Sequence, residues 1–289
     1  MRHLAHLRIF PALAIFLVAS AARAQDDLAF DFKMTDAGST GGQNVNGVST
    51  GHAVVSKGRV RLDMTGNARG MAMPGMAPGN QVTIIMPDTG KTIIYIQPKT
   101  KQYMRFNPLE AMDRMQKMME GMGANMTFDF TGPDPKVENL GAGPVILGHQ
   151  TVHYRITTGM KMNMSAGGQA QTMEMSSISD EFLAPDLPSA TDPFRSIASS
   201  GASGMFGANK AYFEKLKAVQ AQLPKATELR AETEVTMIGA GQMGNVKSIR
   251  EITAITKTTA TNDMFEAPAG YTKVEFPMGM GGAAPPPGN

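Results

Sequence analysis

Methionine is the residue type whose number and spacing first suggest chemistry. The 289-residue chain holds 25 methionines and 31 glycines, with no cysteine and no tryptophan. Three runs alternate: Met71-Ala72-Met73-Pro74-Gly75-Met76, Met160-Lys161-Met162-Asn163-Met164 and Met173-Glu174-Met175. In a loop, closely spaced thioethers can wrap a soft cation such as Cu(I) or Ag(I), which makes Met71, Met73 and Met76 the metal candidates. On a strand the same spacing turns every thioether to one side. Met160, Met162, Met164, Met173 and Met175 therefore read as a core or a cavity wall, with Met64 or Met237 as candidate neighbours. Met112, Met115, Met119 and Met122 fall at helical spacing and form a fourth apolar set.

Other motifs read as ordinary structure. Gly239-Ala240-Gly241-Gln242-Met243-Gly244 matches the dinucleotide pattern G-x-G-x-x-G, but the segment after it reads as a strand, and that chemistry needs a helix N-terminus there. It is a hairpin loop. Asp88-Thr89-Gly90-Lys91-Thr92 ends like a phosphate-binding loop, yet Ile85 stands where the motif needs its first glycine, so it is a turn. His149 and His153 are four apart, which on a strand is about 13 Å, too far for one ion. Asp180 and Glu181 read as solvated carboxylates beside a turn. Gly201-Ala202-Ser203-Gly204 lacks the nucleophile-elbow spacing, and no Ser-His-Asp or Cys-His set can be assembled. Neither an enzyme nor a cofactor is expected.

The N-terminus has the form of an export signal: Arg2 and Arg8, an apolar run over 9–18, then Ala22-Arg23-Ala24 before Gln25. That run is too short to span a bilayer, which takes roughly 20 residues. Gln25 in place of cysteine leaves no site for a lipid anchor. Cleavage after Ala24 would remove Arg2, Arg8 and Arg23, turning 27 basic against 25 acidic residues into 24 against 25, a net charge of about −1. No clustered basic excess points to nucleic acid. The expectation is a soluble periplasmic or secreted protein with no transmembrane anchor.

Positioning the methionines falls to short alternating segments. Residues 28–34 and 59–64 read as half-buried strands, and 81–86, 91–97 and 102–106 as a meander joined by turns. Asn107 is a suitable N-cap for a helix running to about Met122, with Pro108 at its first position. Strands follow at 150–158, 160–164 and 171–178, and 180–188 reads as a proline-bounded exit from the sheet. A second helix over 208–223 buries Tyr212, Phe213, Leu216, Val219 and Leu223. Residues 229–238 and 246–257 form a hairpin. Residues 38–51 and 66–79 read as glycine-rich loops. The expected organisation is a signal over 1–24, a single domain over 25–277 and a disordered Gly/Pro tail over 278–289. Its fold class is α+β: a strongly curved, unclosed, half-barrel-like antiparallel sheet of roughly ten strands, with two helices on the concave side.

The run 58–64 (Gly-Arg-Val-Arg-Leu-Asp-Met), the meander through Asp88-Thr89-Gly90-Lys91 to Lys101-Gln102-Tyr103-Met104, and the close at 264–271 (Met-Phe-Glu-Ala-Pro-Ala-Gly-Tyr) resemble a bacterial periplasmic family of unassigned function. That family is similar in turn to the outer-membrane lipoprotein carriers. The resemblance implies an open barrel whose helix-covered interior takes lipid or acyl chains. On that basis Met112, Met115, Met119, Met122, Met160, Met162, Met164, Met173 and Met175 are the expected ligand-binding set. A methionine-rich copper or silver protein using Met71, Met73 and Met76 is the alternative. An envelope component that binds a protein partner and no small ligand is the third reading.

Overall fold

Tight turns fold the chain back on itself at short intervals. Lys57 and Gly58 both have positive φ, 51° and 78°, the backbone of a two-residue turn whose twist matches the strands it joins. Leu147 and Gly148 repeat this, at 51° and 84°. The computed structural model describes residues 27–275 apart from 41, 67–79, 109, 112, 113, 115–125, 167, 168, 188–191, 195–209, 240 and 241. The expected signal peptide, the 66–79 loop and the C-terminal tail lie largely or wholly outside the described residues.

The strands are β1 (Asp27–Thr40), β2 (Gln43–Asn44), β3 (Gly47–Ser56), β4 (Arg59–Gly66), β5 (Gln81–Met86), β6 (Ile93–Gln97) and β7 (Gln102–Phe106) in the first part of the chain. After them come β8 (Met126–Thr131), β9 (Lys136–Ile146), β10 (His149–Ala166), β11 (Gln169–Ala184), helix α1 (Lys210–Gln220), β12 (Thr227–Gly239), β13 (Gln242–Thr258) and β14 (Thr272–Lys273). They form one unclosed, curved sheet in the order β14-β7-β6-β5-β4-β3-β1-β13-β12-β11-β10-β8, with β2 beside β1 and β9 beside β10. Pairing is antiparallel throughout except at β14–β7. Register shifts at Asp31/Phe32 and Phe182/Leu183 mark bulges, which bend a strand and increase its twist.

The chain is therefore mainly β, not α+β with two helices. Among the described residues one helix is complete, α1. Asn107 does cap a helical turn: its side-chain Oδ1 accepts from the Glu110 N–H at 3.4 Å, and its carbonyl accepts from Ala111 at 2.9 Å. The rest of that predicted helix, including Met112, Met115, Met119 and Met122, lies outside the described residues.

Three segments differ from expectation. Residues 38–51 are not a loop but the end of β1, then β2 and the start of β3. Residues 150–164 are one continuous strand, not two. Gly159, the residue between the two expected strands, sits inside β10, where a Cβ would meet the Pro133 ring at 2.9 Å. The segment 180–188 stays in the sheet as far as Ala184, so Asp180 and Glu181 are mid-strand rather than beside a turn.

Alternation gives the sheet an inner and an outer face. The inner face of β1 and β3–β7 carries the main core: Phe30, Phe32, Val55, Leu62, Met64, Ile84, Met86, Tyr95 and Met104, closed over by Phe194, whose ring meets Phe32 edge-on at 5.0 Å. The outer face carries Val54, Ile85, Ile94 and Ile96 under Phe265. The Arg59 guanidinium lies 4.2 Å from the Phe265 ring, and Arg61 donates to the Met264 carbonyl at 3.2 Å, which fastens the C-terminal segment over that face.

Candidate functional site

The long strands β10–β13 bring the alternating methionines together. Met160 pairs in register with Met175, and Met162 with Met173. Met175 pairs in turn with Met237, and Met237 with Gly244. Directly opposed residues of an antiparallel pair share a face, with Cβ atoms about 4.5–5.5 Å apart. Met160, Met175 and Met237 thus form one row across three neighbouring strands, and Met162 and Met173 begin the next. The intervening residues confirm the phase. Lys161 and Glu174, also opposed, make a 2.9 Å ion pair on the other side of the sheet.

The methionine rows lie on the inner face. Proceeding toward the core, the next rows on that face are Thr158, Ser177, Val235 and Val246, then Ile156, Ser179, Thr233 and Ser248. Ser179 and Thr233 share a 2.9 Å hydrogen bond between hydroxyls, which satisfies two polar groups on an otherwise apolar surface. Beyond them come Tyr154, Glu181, Ala231, Arg250 and Met34. Met160, Met162, Met175, Met237, Val235 and Val246 are half-buried, and Met173 is 39% exposed. None of them reaches the burial of the main core.

Among the described residues, helix α1 marks where the cover of this face stops. Leu223 and Ala226, just past its C-terminus, pack on Leu183, Tyr154, Ile156 and Val137. Near its N-terminal end, Tyr212 hydrogen-bonds to the backbone of Gly159, and burial pushes its phenol pKa up. Lys215 pairs with Asp134 at the sheet edge. The helix is thus tethered next to Met160.

Of the expected site, Met160, Met162, Met173 and Met175 are brought together, and Met237 joins them. Met164 continues β10 in register with Gln171 and with Phe128 of β8. Met64 is not a neighbour: it is buried in the main core between Gly51 and Val82. Met71, Met73 and Met76 lie outside the described residues.

A second cluster on the inner face has no counterpart among the expected residues. Asp192 and Glu228 are almost fully buried. Asp192 accepts from the backbone N–H groups of Phe194 at 2.9 Å and Glu228 at 3.0 Å. Arg250 donates to the Glu228 carboxylate at 2.6 and 2.9 Å and lies 4.3 Å from the Phe194 ring. Burial opposes the Arg250 charge, but Glu228, Asp192 and Glu181 outweigh it and hold its pKa above the ordinary value. The cluster locks residues 192–194 across the sheet. One signal for it was present: Arg250 is two residues from Ile252, a charge in phase with a buried position.

The three histidines beyond the expected signal each face one aspartate: His52 with Asp31 at 2.7 Å, His149 with Asp186 at 2.6 Å and His153 with Asp180 at 2.9 Å. Asp180 also takes two bonds from Arg155 at 2.9 Å, and chiefly these, with the bond from His153, hold its carboxyl below the usual carboxylate range. Among the described residues, no three His, Asp or Glu side chains gather in a way that would hold a metal ion. The G-x-G-x-x-G stretch joins β12 to β13, with no helix after it. Thr89 and Gly90 have φ of 55° and 86°, and Asp88 accepts from Thr92, so that segment is a closed turn. No described helix is long and apolar enough to cross a membrane. No protein-family model matches the chain, and comparison with curated proteins gives no match.

Proposed function

We propose that the chain is a non-enzymatic protein of the bacterial envelope that holds an apolar ligand, such as an acyl chain, against the inner face of β10–β13. The observation that carries this reading is the contrast in filling along one face. Val235, Val246, Met160, Met175 and Met237 form a continuous apolar surface that stays half-buried beside a helix. Methionine suits such a surface because its unbranched thioether side chain adapts to irregular apolar partners. The unclosed curved sheet agrees with the resemblance to lipoprotein carriers, and the sequence of residues 1–24 agrees with export.

Native mass spectrometry of gently purified protein tests the reading directly, with co-purified lipid as the expected result. Displacement of a fluorescent fatty-acid probe supplies the quantitative form. Val235→Asp places a carboxylate in the middle of the surface and is expected to weaken probe binding by about 2 kcal/mol or more, or roughly thirtyfold. Unchanged probe affinity in a folded Val235→Asp protein would show that this face is not the binding surface.

A further inference from the structure

The same methionine rows have a second chemistry. We infer that Met160, Met175 and Met237 form a binding site for a soft monovalent cation, Cu(I) or Ag(I), with Met162 and Met173 one row away as further donors.

The inference rests on placement. Three thioethers on three adjacent strands stand in one register row, although Met237 is 62 residues from Met175. Neighbouring strands are about 4.8 Å apart, and the three rotatable bonds of methionine allow sulfur atoms starting from such positions to converge on one ion. Thioethers select Cu(I) over hard divalent ions. The surroundings favour the same choice. Gly244 stands beside Met237 in its row and Gly239 beside Met173 in the next, and neither contributes a side chain. Glu174 lies on the opposite face, paired with Lys161, and Glu181 is three rows away along β11, so among the described strand residues no carboxylate faces the row to attract a hard ion. Met173 at 39% exposure leaves the rows accessible from solvent. None of these methionines belongs to the Met71–Met76 run.

The test is anaerobic Cu(I) titration of the full chain against a chromophoric Cu(I) chelator, repeated with Ag(I). The triple variant Met160→Leu, Met175→Leu, Met237→Leu keeps the apolar area and removes the sulfur. It is expected to lose Cu(I) affinity by about a hundredfold or more, while its urea unfolding midpoint stays near that of the wild type. Failure of the metal site would be read from the chelator competition and failure of the apolar reading from the fatty-acid probe on the wild type, so the two are separable. Thioethers release no proton on binding, so wild-type affinity should be flat between about pH 5 and 7, where a histidine site would weaken. X-ray absorption should report a sulfur shell. Absence of Cu(I) binding by the wild type, full affinity in the folded triple variant, or loss of affinity in Met71→Leu, Met73→Leu, Met76→Leu instead would each overturn the proposal.

Discussion

The strands β3–β7 and the distal parts of β10–β13 are built from the same alternating pattern but finish differently. In β3–β7 both faces are closed, the inner by Phe194 with Phe32 and Ile252, the outer by Phe265 and its neighbours. In β10–β13 the outer face carries charged and polar side chains such as Arg155, Asp180, Glu232 and Lys247, and the inner face stays half-buried beyond the reach of α1. Alternation decides which way a side chain points. What lies across from it decides whether that side chain becomes core or surface, and here the covering pieces come from residues 192–194 and 259–271, remote in sequence from the strands they seal.

The largest effect should follow from emptying the closed region. Phe32→Ala, at a site 1% exposed, is expected to cost about 3–5 kcal/mol in urea unfolding. Met175→Ala, at a half-buried position, should cost only about 1 kcal/mol. Equal costs would mean that the long-strand region is as well packed as the other, and would break the comparison. Next in size is Asp192→Ala. It leaves two backbone N–H groups unpaired and removes a counter-charge from Arg250, at an expected cost of about 2–3 kcal/mol. Accelerated proteolysis near Phe194 would show that the cover itself has loosened.

How much of this was legible in the sequence depends on how local each signal is. The meander from β5 to β7 was readable because its turns announce themselves at Asp88-Thr89-Gly90 and Pro98 to Lys101. The sharing of one face by Met160, Met162, Met173 and Met175 was readable from period two alone. β8 and β9 were not, because Gly132, Pro133, Pro135, Gly141, Gly143 and Pro144 mask an edge strand, where proline is tolerated. Glycine also misled at 38–51, where Gly38 at φ 141° sits so close to the Asn245 carbonyl that a Cβ would fall 2.0 Å from it. Asp192, Glu228 and Arg250 meet only through the fold, and the row from Met160 to Met237 depends on a register that no local pattern encodes.

The smallest expected effect concerns the polar outer face. The carboxyl of Asp180 is depressed below its unfolded value near 3.9, so its stabilising contribution is present above about pH 4 and fades as pH falls through the folded value. Asp180→Asn should therefore flatten the acid limb of the melting temperature against pH while barely changing the neutral-to-alkaline limb. An unchanged acid limb would assign acid sensitivity to Asp27, depressed chiefly by its bond with Ser56 and next by the Ala260 N–H, or to Asp263, depressed chiefly by its bond with Thr261.

The place of β1 in the sheet sets a timetable for folding. Its hydrogen-bond partners are β3, with the short β2, and β13, so this first described strand waits for residues 242–258 before both its edges are filled. Until those residues have been made, a ribosome-bound chain presents β1 as a bare apolar edge, open to wrong partners. Pairing over so long a stretch is also slow, in the range of milliseconds to seconds or beyond.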